Sequence, residues 1–255
     1  MANSAPYTPG YSDNAVQFMA RRTAEKHAAF FAPHLRPGWS LLDCGCGPGA
    51  ITCGLASRVA PGQTVGVDTA LSQVVAAQAR AAAEMVTQIR FEAAEAEALP
   101  FANASFDAVF SHALFEHLAD PSAAARELLR VLRPGGIAGV RSPDWGGFVL
   151  FPVDPAVEGA LMAYRRIQDA AGGDTQVGRK LGSILVAAGF TDVEMGAEYE
   201  LYDDREWIAN YLALRLEKAG KNQEAEALRT WSHHPNNLFA QAWFHAVGKK
   251  TGSTA

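Results

Sequence analysis

An α/β fold built on a doubly wound, mostly parallel sheet is what this chain predicts, and three observations predict it. From Trp39 onward, short apolar or β-branched runs alternate with longer helical stretches, the pattern of a parallel sheet covered by helices. A glycine-rich turn, Asp43-Cys44-Gly45-Cys46-Gly47-Pro48-Gly49, lies between the first strand and first helix of that alternation. An acidic residue, Asp68, closes the second strand about 20 residues further on, where a nucleoside-binding sheet needs one.

The elements follow in order. Leu41 to Cys44 reads as strand one, and Ile51, Leu55 and Val59 then recur every fourth residue until Pro61-Gly62 stops the helix. Thr64 to Val67 makes strand two. An alanine-rich helix is expected from about Ser72 to Met85, strand three at Ile89 to Phe91 and strand four at Phe106 to Phe110. Asp120-Pro121 has the form of an N-cap with proline at the first helical position. That helix carries Leu128, Leu129 and Leu132, ends at Arg133-Pro134-Gly135-Gly136, and leads into strand five at Ile137 to Val140. Beyond Ser142 the prolines and glycines predict a loop, then helices at about 156–171 and 177–188. A strand over 193–201, helical material over 203–232 and a last strand from Phe239 to Val247 complete seven strands.

Composition narrows the function. With 255 residues, 49% of them hydrophobic, the chain can bury a sizeable core; the expectation is one domain over 1–255. The 22 Lys+Arg against 27 Asp+Glu give a formal charge of −5 without a basic run to follow a phosphate backbone, so nucleic acid is not an expected partner. No signal peptide or continuous apolar span is visible, and a cytoplasmic protein without membrane contact is expected. Cys44, Cys46 and Cys53 are too few and too crowded for a disulfide framework or zinc site, so no metal is expected. They read as small residues tolerated in a tight turn.

Read alone, the turn leaves the ligand open. Its spacing is Gly45-x-Gly47-x-Gly49, but Ala50 permits a G-x-G-x-x-G/A reading from Gly45, which keeps a nicotinamide- or flavin-dependent oxidoreductase as an alternative. Further motifs follow in order: Val-Gly-Val-Asp at 65–68, Ala-Glu-Ala-Glu-Ala-Leu-Pro-Phe at 94–101, Phe-Asp-Ala-Val-Phe-Ser at 106–111, Phe-Glu-His-Leu at 115–118 and Leu-Leu-Arg-Val-Leu-Arg-Pro-Gly-Gly at 128–136. Over roughly 38–142 the chain resembles the class I S-adenosylmethionine-dependent methyltransferases, especially the small-molecule branch that includes the ubiquinone and menaquinone methyltransferases.

The resemblance implies a Rossmann-like seven-stranded sheet with an antiparallel last strand, and S-adenosylmethionine as cofactor. It implies that Asp43 orders the turn, that Gly45, Cys46 and Gly47 meet the methionine and ribose portions, and that Asp68, with Thr69 beside it, holds the ribose. Glu95 and the backbone of Ala96 would meet the adenine; Ser111 and His112 would lie near the cofactor's ammonium. A protein that keeps this fold and binds the cofactor without transferring methyl is a second alternative.

On the acceptor side, the segments 1–37, 143–176 and 204–232 are expected as lid and substrate-side elements, and a homodimer is left open. Candidate bases are His112, Glu116, His117, Asp144, Tyr11, His233 and His234, with His112 preferred because an imidazole just after strand four could poise an acceptor at neutral pH. Positioning without any protein base is an equal alternative. Tyr7, Tyr11 and Phe18 are candidates for a lid, and Arg21 for the methionine carboxylate. Trp145, Phe148, Phe151, Met162, Tyr164, Trp207, Tyr211 and Leu214 would line a partly apolar pocket for a small hydrophobic metabolite, methylated at O, N or C.

Overall fold

The structure is a computed structural model and describes residues 19–252. Tyr7, Tyr11 and Phe18 lie outside the described residues. The strands are β1 Leu41–Cys44, β2 Thr64–Asp68, β3 Ile89–Ala93, β4 Phe106–His112, β5 Leu132–Phe151, β6 Thr191–Leu201 and β7 Leu238–Lys249. They form one sheet in the order β3-β2-β1-β4-β5-β7-β6. The first five run parallel, whereas β7 is antiparallel to both β5 and β6.

The helices are α1 Ala24–His27, α2 Ala50–Val59, α3 Leu71–Ala83, α4 Pro121–Val131, α5 Pro155–Ala170, α6 Leu181–Ala188, α7 Arg205–Lys218 and α8 Asn222–Ser232. None of the described helices is long and apolar enough to cross a membrane.

Alternation along the strands divides the core between two faces. Leu41, Ala108, Phe110 and Ile137 pack against Phe31 and against Ile51, Leu55 and Val59 of α2. Leu42, Val109, Ala138 and Val140 pack on the other face against Leu128 and Val131 of α4 and Leu181 and Leu185 of α6. A separate core lies over the far end of the sheet. There Val157, Leu161 and Tyr164 of α5, Ile208 and Leu212 of α7 and Leu228 of α8 close on Trp145 and Phe239.

The first four strands and the helices between them lie where the sequence pattern puts them, whereas Leu132, expected on the helix before strand five, already belongs to β5. Asp120 caps α4 through its side chain, accepting from Ala123 N at 2.9 Å. The largest difference is strand five. The loop expected after Ser142 is strand instead: β5 continues to Phe151, paired with β7 through a bulge between Asp144 and Val149. Pro143 is tolerated because β4 has already ended, its last partner being Arg141, so one edge of β5 there has no ladder for a missing N–H to break.

Candidate functional site

Two neighbouring features lie at the carboxyl ends of the parallel strands, where ligands bind in open α/β sheets. The first is the glycine turn. Gly45, Gly47 and Gly49 have φ of +79°, +51° and +76°, a region that side-chain-bearing residues enter only at a cost. A Cβ on Gly49 would stand 2.9 Å from Ala77 Cβ, whereas one on Gly47 would meet only Met19 Sδ, at 3.6 Å. The turn is therefore packed tightly against α3 on one side, while at Gly47 only Met19 approaches it among the described residues.

The N–H groups of this turn are already spent. Gly45 N and Cys46 N both donate to Val67 O, at 2.8 and 2.9 Å, and Gly49 N donates to Cys46 O at 3.1 Å. Gly47 N donates to Asp68 Oδ2 at 3.0 Å, and Pro48 has no N–H. A pyrophosphate needs several such donors; this turn presents carbonyl oxygens and Cα surface instead.

Asp43, buried beneath the turn, accepts from Thr52 Oγ1 at 2.6 Å, which ties β1 to α2. Burial pushes its carboxyl up to about 7. Asp68 uses one lone pair on each oxygen, for Gly47 N and for Ala70 N at 3.0 Å, and keeps the others for a ligand's hydroxyls. The loop after β3 is held beside it, Ala94 N donating to Asp68 O at 3.1 Å. In that loop Ala96 is buried and Glu95 exposed, as is Thr69 after β2. Ser111 Oγ is buried without a hydrogen-bond partner among the described residues. The three cysteine thiols are buried and free, and burial raises the pKa of each, so they are inert parts of the turn's packing.

The second feature is a cavity beside the turn. Its wall is shared by Met19 and Arg22 of the N-terminal segment, Glu116 and His117 after β4, Pro143 and Trp145 of β5, Tyr164 and Gln168 of α5, Tyr202, Ile208 and Tyr211 around α7, and Gln241 and Trp243 of β7. The Glu116 carboxyl is buried; Oε2 accepts from Ser142 Oγ at 2.9 Å. Its backbone oxygen accepts from Gln168 Nε2 at 3.0 Å and from Asp174 N at 3.0 Å. Burial pushes Glu116 up to about 7, against the pull of its hydrogen bonds and of the Arg22 charge. Burial and the same Arg22 charge hold His117 down at about 3.

His112 lies one layer behind this wall and is not part of it. Its ring stacks on Trp243 at 5.0 Å and meets His27 edge-on at 5.3 Å. Its Nε2 is 2.7 Å from Nη1 of the buried Arg141. Burial, together with the charges of Arg22 and Arg141, holds its pKa well below the usual range, so the ring is neutral and weakly basic. Arg141 in turn donates to Glu198 at 2.8 Å, while Glu200 meets Lys26 at 2.9 Å and His27 at 3.4 Å. The cluster stitches α1, β4, β5 and β6 together.

The remaining candidates fall elsewhere. Asp144 is paired with Arg179, Nη2 to Oδ1 at 2.7 Å. His233 meets Glu206 at 3.3 Å on the exposed surface, and His234 borders a separate groove along α8. Arg21 pairs with Asp204 at 3.0 Å and stacks over Trp207 at 4.5 Å. Of the expected pocket aromatics, Trp145, Tyr164 and Tyr211 line the cavity, Phe148 and Trp207 pack into the core over it, and Phe151, Met162 and Leu214 are exposed. Arg22, Gln168, Tyr202, Gln241 and Trp243 went unread in the sequence. The last two stand two residues apart on one strand and so share a face, which was the available signal.

The motifs around the site also hold one another in place. Arg130 of α4 donates to Leu99 O at 2.9 Å and Phe101 O at 2.6 Å, and Glu127 accepts from Leu99 N at 2.8 Å, clamping the Leu-Pro-Phe block. Arg133 and Ser40 meet on Asp107.

Comparison with known proteins agrees with this geometry. A methyltransferase-domain family model matches residues 42–140. The nocamycin O-methyltransferase of Saccharothrix syringae is 34% identical over 78% of this chain and 70% of that protein. A probable methyltransferase of Aspergillus luteorubrus is 36% identical over 53% of this chain and 50% of its own length; the chain spans about half the length of this and another curated relative that it matches. In fold, the YcgJ protein of Bacillus subtilis superposes with a TM-score of 0.66 at 19% identity, covering 90% of this chain and 100% of that one. Turn, sheet order and relatives agree: the chain belongs to the class I S-adenosylmethionine-dependent methyltransferases.

Proposed function

We propose that this protein transfers a methyl group from S-adenosylmethionine, seated on the turn at 45–49, to a small molecule in the adjoining cavity. The observation that carries the reading is the saturation of the turn's N–H groups. It suits a cationic sulfonium nucleoside and leaves a dinucleotide's pyrophosphate without donors from the turn.

The residues present fit that cofactor. Asp68, with free lone pairs beside the open face of Gly47, would take the ribose hydroxyls; Gly45, Cys46 and Gly47 would offer carbonyls and Cα surface to the rest. Ala96 would pack against the adenine, while Glu95 and Thr69 would close over it from their exposed positions. The partnerless Ser111 Oγ would accept from the ammonium. When bound, the cofactor supplies an already activated methyl group, so the protein's part is alignment and exclusion of water.

Met19 joins the two features, since it stands over Gly47 and lines the cavity. The cavity wall, aromatic with a few polar groups, suits a small acceptor, and two relatives with named acceptors, the nocamycin and 27-O-demethylrifamycin SV methyltransferases, act on small molecules. His112, pinned between Arg141 and Trp243, orients the wall in this reading rather than acting as the base.

A thermal-shift comparison tests the reading. S-adenosylhomocysteine should raise the melting temperature of the wild type and NAD should not; the reverse would overturn the proposal. Asp68→Ala should weaken S-adenosylhomocysteine binding by about 10- to 100-fold in calorimetry, the loss of two hydrogen bonds to a charged group.

A further inference from the structure

We infer that the acceptor carries, besides the atom that receives the methyl group, a hydroxyl or N–H group that donates to Oε1 of Gln241. This rests on the methyl-transfer reading and adds to it a substrate class and the residue that reads it.

The bulge in β5 sets this side chain in place. On β7, Gln241 is the one residue between Ala242 and Ala240, whose partners on β5 are Asp144 and Val149, so it lies opposite the bulge. It shares a face of the strand with Trp243, two residues on, and both border the cavity. Gln241 is 1% exposed. Its Nε2 spends both hydrogens on backbone oxygens, donating to Asp144 O at 2.6 Å and to Ala242 O at 3.2 Å. The amide cannot sit the other way round, since oxygen would then face two oxygens.

The other arm of the amide is left over. Oε1 is buried and has no hydrogen-bond partner among the described residues. The two arms of an amide diverge, so this oxygen is turned away from the carbonyls that hold the nitrogen. A buried acceptor left unpaired costs stability, and on a cavity wall a ligand's donor removes that cost. Gln168 of α5, on the same wall, has its nitrogen committed in the same manner, Nε2 donating to Glu116 O at 3.0 Å. Both amides are thus held to the backbone through nitrogen, and the ligand that suits them brings donors.

Position separates this contact from the chemistry. β7 is three strands across the sheet from β1, whose end carries the glycine turn, about 14 Å at the usual strand spacing. Along β7, Gln241 is four residues from His245, which is level with Arg141 and, through it, with His112 at the end of β4. The amide therefore meets a part of the acceptor remote from the cofactor seat. Its hydrogen bond forms on binding and persists through transfer, and no proton moves in it. A methyl ether or N-methyl group in place of the donor would leave Oε1 unpaired, which is how such a site rejects analogues.

The test uses the full chain, loaded with S-adenosylhomocysteine and titrated by calorimetry with two matched pairs of flat rings: phenol with anisole, and indole with 1-methylindole. The second member of each pair lacks the donor and has one more methyl group to bury, which alone would favour it by about fourfold. The wild type should instead prefer phenol and indole by about 5- to 30-fold. In Gln241→Met that preference should vanish or reverse, with anisole and 1-methylindole bound as before. A purely structural role would weaken both members of each pair equally. Should the variant fail to fold, the sign of the wild-type preference still decides. Equal binding or a preference for the methylated rings in the wild type, a preference kept in Gln241→Met, equal losses within each pair, or binding of no ring would overturn the proposal. Failure of S-adenosylhomocysteine to stabilise the wild type would instead remove the methyl-transfer reading beneath it, and the same pairs titrated into the unloaded chain would still test the contact.

Discussion

The two halves of the site are made from different materials. On the proposed cofactor side, the seat is backbone: three left-handed glycines, a turn whose N–H groups are satisfied internally, and one carboxylate at a strand end. On the proposed acceptor side, side chains from six segments of the chain converge on a cavity. A backbone-built seat is intolerant of a single added methyl group but specifies only a common ligand. A side-chain-built wall can be altered residue by residue, and it specifies the individual substrate. Behind the cavity wall, the buried cluster around Arg141 ties α1, β4, β5 and β6 together.

Three perturbations break or sharpen that contrast, in descending size. Arg141→Met removes the buried cation of the cluster: Glu198 loses its hydrogen bond, Glu200 one of the three cations around it, and the His112 ring its buried partner. Stability should fall by about 3–5 kcal/mol in urea unfolding; a loss under about 1 kcal/mol would mean that the halves are held together elsewhere. Gly49→Ala puts a Cβ at positive φ and against Ala77, which should cost about 2–3 kcal/mol and weaken S-adenosylhomocysteine binding. Unchanged stability would show the turn to be compliant rather than rigid.

The third is a pH effect at Glu200. Burial alone would raise its pKa, but the hydrogen bonds and charges of His27 and Lys26 overcome this and hold it at about 2. A carboxylate depressed in the folded state stabilises above its unfolded value and loses that contribution as pH falls through the folded one. The wild type should therefore lose about 1–2 kcal/mol from this group between roughly pH 5 and pH 2. Glu200→Gln should flatten that part of the stability curve; an unchanged slope would show that the cluster contributes nothing to acid sensitivity.

The same contrast explains what the sequence could disclose. Turn, strand and acidic residue are local, so the tight turn at Gly45, Gly47 and Gly49 and the place of Asp68 at the end of β2 were readable from spacing, whereas the ligand they serve was not. The cavity is not local: Arg22, Gln168 and Gln241 become neighbours only once α5, α7 and β7 have packed. Strand five shows the limit from another direction. Its prolines and glycines after Ser142 read as a loop because their effect depends on which neighbouring strand has already ended, a fact of the sheet and not of the segment. His112, expected just after strand four, is the last residue of β4, and which way its ring turns is set by Arg141 and Trp243, both distant in sequence.

The bulge in β5 has an evolutionary consequence. Upstream of it, residues 137–141 are locked in register with both β4 and β7; the bulge itself carries Trp145, and the strand beyond it leads into α5. Exchanges beyond Asp144 can thus reshape the cavity without disturbing the glycine turn. In the proposed reading, one strand divides the cofactor seat from the acceptor chamber.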